Sequence, residues 1–240
     1  MLIYGINPVV EAIRAGRAIH VQVASSASDR LRELMVLASQ AGIPVRLVQP
    51  AELDRAAGAG VHQGVIAELK DSADYSVAEL VAGAAATPLI VVLDGIEDPH
   101  NLGAILRSAD AAGADGVVRQ TRHAARLDGA AAKASAGAIA YVRVANVVNI
   151  ARAIDELKRS GVWTVGLDGE ASDRYDQIDL TLPSAIVLGA EGTGLRRLVR
   201  QTCDRLVSIP MRGHVGSLNV SVAAAIVLFE AARQRRAGVP

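Results

Sequence analysis

Residues 185–229 constrain the fold of this chain more than any other stretch. An apolar run at 185–188 reads as a buried strand that breaks into a loop holding Gly189, Ala190, Glu191, Gly192 and Gly194. Three glycines so close together let the backbone approach a ligand. Their order is G-x-x-G-x-G, so the dinucleotide fingerprint G-x-G-x-x-G is not matched. A second buried strand at 206–209 ends at Pro210, and a helix begins near Ser217 after a loop with Gly213 and Gly216. From Leu218 to Phe229 that helix is apolar nearly all round, the pattern of a buried helix, yet Asn219 and Ser221 lie in its first turns. Two readings stand: Ser217 is a cap and Asn219 a satisfied core amide, or strand ends and a helix N-terminus converge on one ligand site.

Stretches at 89–93, 116–119, 141–144 and 162–167, which read as short buried strands, precede this one, with helical patterns between most of them. The expected fold class is α/β, with a mainly parallel sheet, helices on both faces and ligands at the carboxyl ends of the strands. The opening LIYGINPVVEAIRAG reads as a strand and then a helix, with Asn7 as cap, Pro8 at the first position and Gly16 just past the end. Strands at 19–24, 44–48 and 65–69 and helices at 28–41 and near Glu52 complete a small α/β unit over residues 1–70. Residues 71–87, rich in Ala, Ser and Asp, read as a linker carrying a short helix, and residues 88–240 form the second domain.

With 51% hydrophobic residues, the 240-residue chain has ample material for a packed core. Its longest apolar run, 222–229, is far too short to span a membrane, and the N-terminus lacks a signal-peptide pattern, so a soluble, cytoplasmic protein is expected. Cys203 is the single cysteine and reads as a small buried apolar residue. The five histidines show no metal-ligand spacing, and no metal is expected. Neither a G-x-S-x-G elbow nor a P-loop is present.

Twenty-five basic and 25 acidic residues leave no net charge, so any nucleic acid must be held by local patches. Arg119, Arg122, His123 and Arg126 form a basic loop that is either a phosphate-contacting segment or simply solvated. Arg196, Arg197 and Arg200, and Arg233, Arg235 and Arg236, read as solvated helix faces. After the strand at 89–93, either Asp98 with Pro99 or Asn101 caps a helix with an apolar stripe of Leu102, Ile105, Leu106 and Ala109. Arg107 lies about 150° from the stripe's centre and points away from the packing face, where an arginine is ordinarily just solvated.

Three blocks, NLGAILRSADAAGADGVV, IVLGAEGTGLRR and IPMRGHVGSLNVSVAAAIVLFE, together resemble the motifs of the SpoU (TrmH-type) class of SPOUT RNA 2′-O-ribose methyltransferases. YGINPVVEAI and VHQGVIAE are similar to the N-terminal domain of the subgroup that methylates guanosine in bacterial 23S rRNA. The resemblance implies a C-terminal trefoil knot binding S-adenosylmethionine, a homodimer, and an N-terminal, L30e-like RNA-binding domain. By motif position, Gly189, Ala190, Gly192, Ile209, Met211 and Leu218 would hold the cofactor. Asn101, Arg107, Glu191, Ser217 and Asn219 fall on active-site positions. Lys133, Ser135 and Gly137 of the family's basic loop are kept, while Arg143 stands where relatives often have Pro.

The implied reaction is in-line attack of a ribose 2′-oxygen on the sulfonium methyl, which asks the protein chiefly to position its reactants. A guanidinium stays protonated and makes a poor base, so Arg107 is expected to clamp the adjacent phosphate and stabilise the developing alkoxide. Glu191 is a secondary candidate base, and Ser217 and Asn219 would orient ribose or cofactor. Other readings are methylation of tRNA or of another rRNA site, a non-catalytic rRNA-binding assembly factor, and, against the glycine order, a nicotinamide-dependent dehydrogenase.

Overall fold

The structure, a computed structural model, describes residues 1–26, 28–58, 60–70 and 74–237. The chain begins with β1 (Leu2–Tyr4), α1 (Ile6–Arg14), β2 (Ala18–Ala24), α2 (Asp29–Gln40), β3 (Val45–Val48), α3 (Pro50–Ala57) and β4 (Val65–Leu69). These strands form a four-stranded sheet in the order β1-β4-β2-β3, in which only β2 and β3 run parallel. α1 turns Val9, Ala12 and Ile13 inward, one face of a 3.6-residue period. Asn7 is not its cap. The helix starts two residues earlier than expected, at Ile6, whose N–H donates to the Gln63 side chain at 3.1 Å, and Pro8 is its third residue.

Next come α4 (Val77–Ala82), β5 (Leu89–Asp94), α5 (Pro99–Ala111), β6 (Gly116–Gln120), α6 (Gly129–Ala134), β7 (Val144–Val147) and α7 (Ile150–Arg159). The chain finishes with β8 (Trp163–Leu167), β9 (Asp173–Arg174), β10 (Ser184–Gly189), α8 (Arg197–Thr202), β11 (Arg205–Ser208) and α9 (Val220–Ala237). Seven strands make one sheet in the order β7-β6-β5-β10-β8-β11-β9, with every described pair parallel. Every residue of β5 and β10 is buried, which is why these strands read as continuous apolar runs rather than alternating ones. The short helix expected within 71–87 is α4. Its Val77 and Leu80 pack into the core beside α7, while residues 71–73 lie outside the described residues.

Three expectations change. The strand read at 141–144 lies at Val144–Val147, because a 3-10 turn over Ala138–Ala140 takes up the chain and the Tyr141 hydroxyl turns to donate to Glu11 at 2.8 Å. α9 begins at Val220 rather than near Ser217, and it is only half covered: Ala224, Val227, Leu228 and Ala231 are buried, whereas Val222 and Phe229 are each 47% exposed. Arg235 is not solvated. It donates to the carbonyls of Thr87, Pro88, Leu180 and Leu182, fastening the end of α9 to two loops, and burial lowers its pKa.

The two sheets are joined through β1, α1 and α6, and one hydrophobic cluster includes Ile3, Val9 and Ile13 with Leu102, Ala131 and Ile139. The Tyr4 ring lies so close over Gly129 that a Cβ there would sit 2.0 Å from a ring carbon. Lys133 reaches back to donate to the Val61 carbonyl at 3.2 Å. Gly129→Val should therefore expel Tyr4 and uncouple the two halves. Scanning calorimetry should show the N-terminal half melting separately and earlier; one unshifted transition would contradict this contact's role.

Candidate active site

The strands β5, β10, β8 and β11 end together at one edge of the large sheet, where the chain order switches direction, and this is where parallel sheets hold ligands. β5 ends in Asp94, whose carboxylate is fully buried. A buried charge demands a partner, and Arg196 supplies it: its backbone N–H donates to Oδ2 at 2.9 Å and its Nε to Oδ1 at 2.6 Å. Arg196 Nη2 also donates to Gln120 Oε1 at the end of β6, at 2.7 Å. Arg196 is thus an anchor, not part of a solvated helix face; Arg200 likewise pairs with Asp168.

Between β10 and Arg196 the chain doubles back. Ala190 and Gly194 exchange both backbone hydrogen bonds, at 2.9 and 3.1 Å, closing a loop around Glu191, Gly192 and Thr193. The glycine order now has a physical reason. Gly192 and Gly194 take left-handed φ values of 75° and 65°, while at Gly189 a Cβ would sit 2.2 Å from the Gly194 carbonyl carbon. The spacing serves this hairpin, not a pyrophosphate.

Glu191 is the meeting point of the site. Its Oε1 accepts from Asn101 Nδ2 at 2.7 Å and from Asn219 Nδ2 at 2.8 Å, and Asn219 Nδ2 also reaches Asn101 Oδ1 at 2.9 Å. Asn101 lies in the first turn of α5 and is 5% exposed. Asp98, with Pro99 next to it, caps that helix, accepting from the His100 N–H at 2.8 Å, which leaves the Asn101 amide to the site. At the head of α9, Asn219 Oδ1 accepts from the Ser221 N–H at 2.8 Å and from its hydroxyl at 2.6 Å. Asn219 is therefore both the cap and a site residue, and the cap role expected of Ser217 belongs to it.

Two clefts flank this junction. The first, about 560 Å³, is lined by all six positions that resemble cofactor contacts, Gly189, Ala190, Gly192, Ile209, Met211 and Leu218, together with Glu191, Ser217 and Asn219. The second, about 480 Å³, lies toward Asp94, Asn101 and Gln120. Ala190, Glu191, Thr193 and Val220 line both. Arg107 lines neither. It is exposed six residues beyond Asn101, about 9 Å along the helix and about 120° round it, so its own chain does not bring it to the junction.

The basic loop divides. Arg119 points inward and donates to the Ala125 carbonyl at 2.5 Å, with burial lowering its pKa, so it is no phosphate contact. Arg122, His123 and Arg126 are exposed. Burial pushes the Cys203 thiol up to about 12, which keeps it protonated and inert. Among the described residues, no group of acidic, His and Cys side chains could hold a metal. The sequence reading names neither Asp94 nor Gln120, and it takes Arg196 for a solvated residue; the one trace was an Asp ending an otherwise apolar strand.

Residues 88–229 match the SpoU rRNA Methylase family, and residues 2–75 match the RNA 2′-O ribose methyltransferase substrate-binding domain. The chain belongs to the SpoU rRNA methylase family. It is 44% identical to the 23S rRNA (guanosine-2′-O-)-methyltransferase RlmB of Pseudomonas syringae pv. tomato, over 98% of this chain and 96% of the relative. It is also 44% identical to an uncharacterized tRNA/rRNA methyltransferase of Mycolicibacterium gilvum, over 98% of this chain and 77% of that protein. The crystal structure of the SpoU methyltransferase AviRb from Streptomyces viridochromogenes, in complex with the cofactor AdoMet, superimposes with a TM-score of 0.83 at 29% identity. That match covers 99% of this chain and 91% of the other.

The double duty of Asn219 can be separated experimentally. Asn219→Ala should cost about 1 kcal/mol through the lost cap, and Asn219→Ser should recover most of that in urea denaturation. Neither variant can donate to Glu191 as the amide does, so both should lose activity. Full activity in the serine variant would refute the junction.

Proposed function

We propose that this chain transfers a methyl group from S-adenosylmethionine to the ribose 2′-oxygen of a guanosine in 23S rRNA. The observation that carries the reading is the pair of clefts meeting at Glu191, one for a donor and one for an acceptor. The names of relatives such as the Pseudomonas enzyme support the 23S guanosine over tRNA and over a non-catalytic role. The first cleft fits the cofactor chemically. Ile209, Leu188 and Leu218 offer apolar surface for a flat adenine, and the Glu191 carboxylate suits a cationic sulfur.

When bound, S-adenosylmethionine supplies an electrophilic methyl, so the protein's task is placement. Two amide donors hold Glu191 Oε1, and Oε2 accepts no hydrogen bond from a described residue. Oε2 is thus placed to accept the proton of the 2′-hydroxyl as the O–C bond forms and the S–C bond breaks, releasing S-adenosylhomocysteine. Asn101 and Asn219 keep that carboxylate from swinging away, and Ser217 orients the ribose or the cofactor. Arg107 clamps the neighbouring phosphate, and since it reaches neither cleft of its own chain, it acts from a second copy.

A homodimer is further supported by α9, where Val222, Ile226 and Phe229 form one stripe at i, i+4 and i+7 that the chain leaves partly uncovered. Residues 1–70 form the L30e-like RNA-binding domain, 71–87 the linker, and 88–240 the catalytic domain, whose C-terminal segment is the trefoil knot. The two loops around the first cleft and the return of α9 to residues 178–182 support that knot. No described helix is long and apolar enough to cross a membrane, and an rRNA substrate supports a cytoplasmic location.

Incubation with undermodified 23S rRNA and S-adenosylmethionine should leave a new nuclease-resistant, ribose-methylated guanosine. Arg107→Ala and Glu191→Gln should each abolish it, while the two variants co-expressed should restore it through mixed dimers. No new methyl from the wild-type chain would overturn the function; no rescue would overturn the shared site.

A further inference from the structure

The second cleft carries side chains that methyl transfer itself does not use. Glu97 is exposed in it and makes no hydrogen bond or ion pair with any described residue. Its neighbour Asp98 differs, because that carboxylate caps α5. His123 lines the same cleft at a left-handed φ of 51°, uncommon for a residue with a side chain and held by Gln120 Nε2 donating to its carbonyl at 2.7 Å. Arg196 has Nε and Nη2 committed to Asp94 and Gln120, so its planar face is what it still offers.

A base taken out of an RNA strand is held by stacking on flat side chains and read along its Watson–Crick edge. Guanine presents two adjacent donors there, N1–H and N2–H₂, which match the two acceptor oxygens of a carboxylate. Adenine presents a donor and an acceptor, and its N1 would face a carboxylate oxygen lone pair to lone pair. Asn101 and Glu191 stand at the end of this cleft nearest the donor cleft, where the ribose must sit.

We propose that the second cleft receives the base of the target guanosine, stacked on His123 and Arg196, with its N1–H and N2–H₂ donating to the Glu97 carboxylate. This assignment rests on the proposed function and adds the residue that selects the base. Glu97→Gln replaces one acceptor by a donor, so it mismatches guanine and matches adenine.

The test is a nuclear magnetic resonance titration of the full chain, saturated with S-adenosylhomocysteine and carrying ring-labelled histidine. Guanosine 5′-monophosphate and adenosine 5′-monophosphate are the probes, and the phosphate they share serves as the internal control. His123→Asn identifies the His123 signal among the five histidines. The His123 resonance should move with the guanine nucleotide at concentrations at least tenfold lower than with the adenine nucleotide, and Glu97→Gln should abolish or reverse that order. Equal response to both nucleotides, a preference surviving in Glu97→Gln, or an unmoved His123 would overturn the proposal. Guanine-selective shifts in a chain that methylates no RNA would uphold the pocket and overturn the function; methylation without selective shifts would do the reverse.

Discussion

Glu191 Oε1 accepts one amide N–H from Asn101 and another from Asn219, residues 90 positions before it and 28 after it. These two bonds tie the first turn of α5, the hairpin after β10 and the head of α9 to a single carboxylate oxygen. A carboxylate accepting two donors is fixed in orientation. Because Asn219 is also the cap of α9, the position of that helix and the orientation of Glu191 are set together. The two clefts meet where they do because the junction is a wall of both.

Beneath the junction, the Asp94–Arg196 pair fixes the far end of the same hairpin. Removing Arg196 would leave the buried Asp94 carboxylate without compensation, whereas removing Asp94 would leave a guanidinium that water still reaches. Asp94 is fully buried while the Arg196 side chain is 57% exposed, so the arginine serves the core with its edge and the cleft with its face. Core packing and substrate recognition thus share one side chain, which limits what can replace it.

Much of the fold was legible before the structure. Continuous apolar runs marked β5 and β10 because strands covered on both faces need no alternation. The six motif positions expected to hold a cofactor line one cleft in the structure. What stayed hidden depended on contacts distant in sequence. No local pattern distinguishes Arg196, which balances Asp94 102 positions away, from the exposed Arg197 beside it. Arg235 reads in sequence as one more arginine on a solvated helix face, but four carbonyls from two separate loops converge on it. The apolar helix α9 read as fully buried because its sequence has no polar stripe, yet the packing of this chain leaves Val222 and Phe229 exposed.

The placement of the methyl group is the most direct check on the junction. S-adenosylmethionine carrying a ¹³C-labelled methyl should, when bound to the full-length chain, show isotope-edited nuclear Overhauser contacts to the side-chain amide protons of Asn101 and Asn219. Contacts only to other residues of the first cleft, with none to Asn101 or Asn219, would contradict a transfer that passes through this junction.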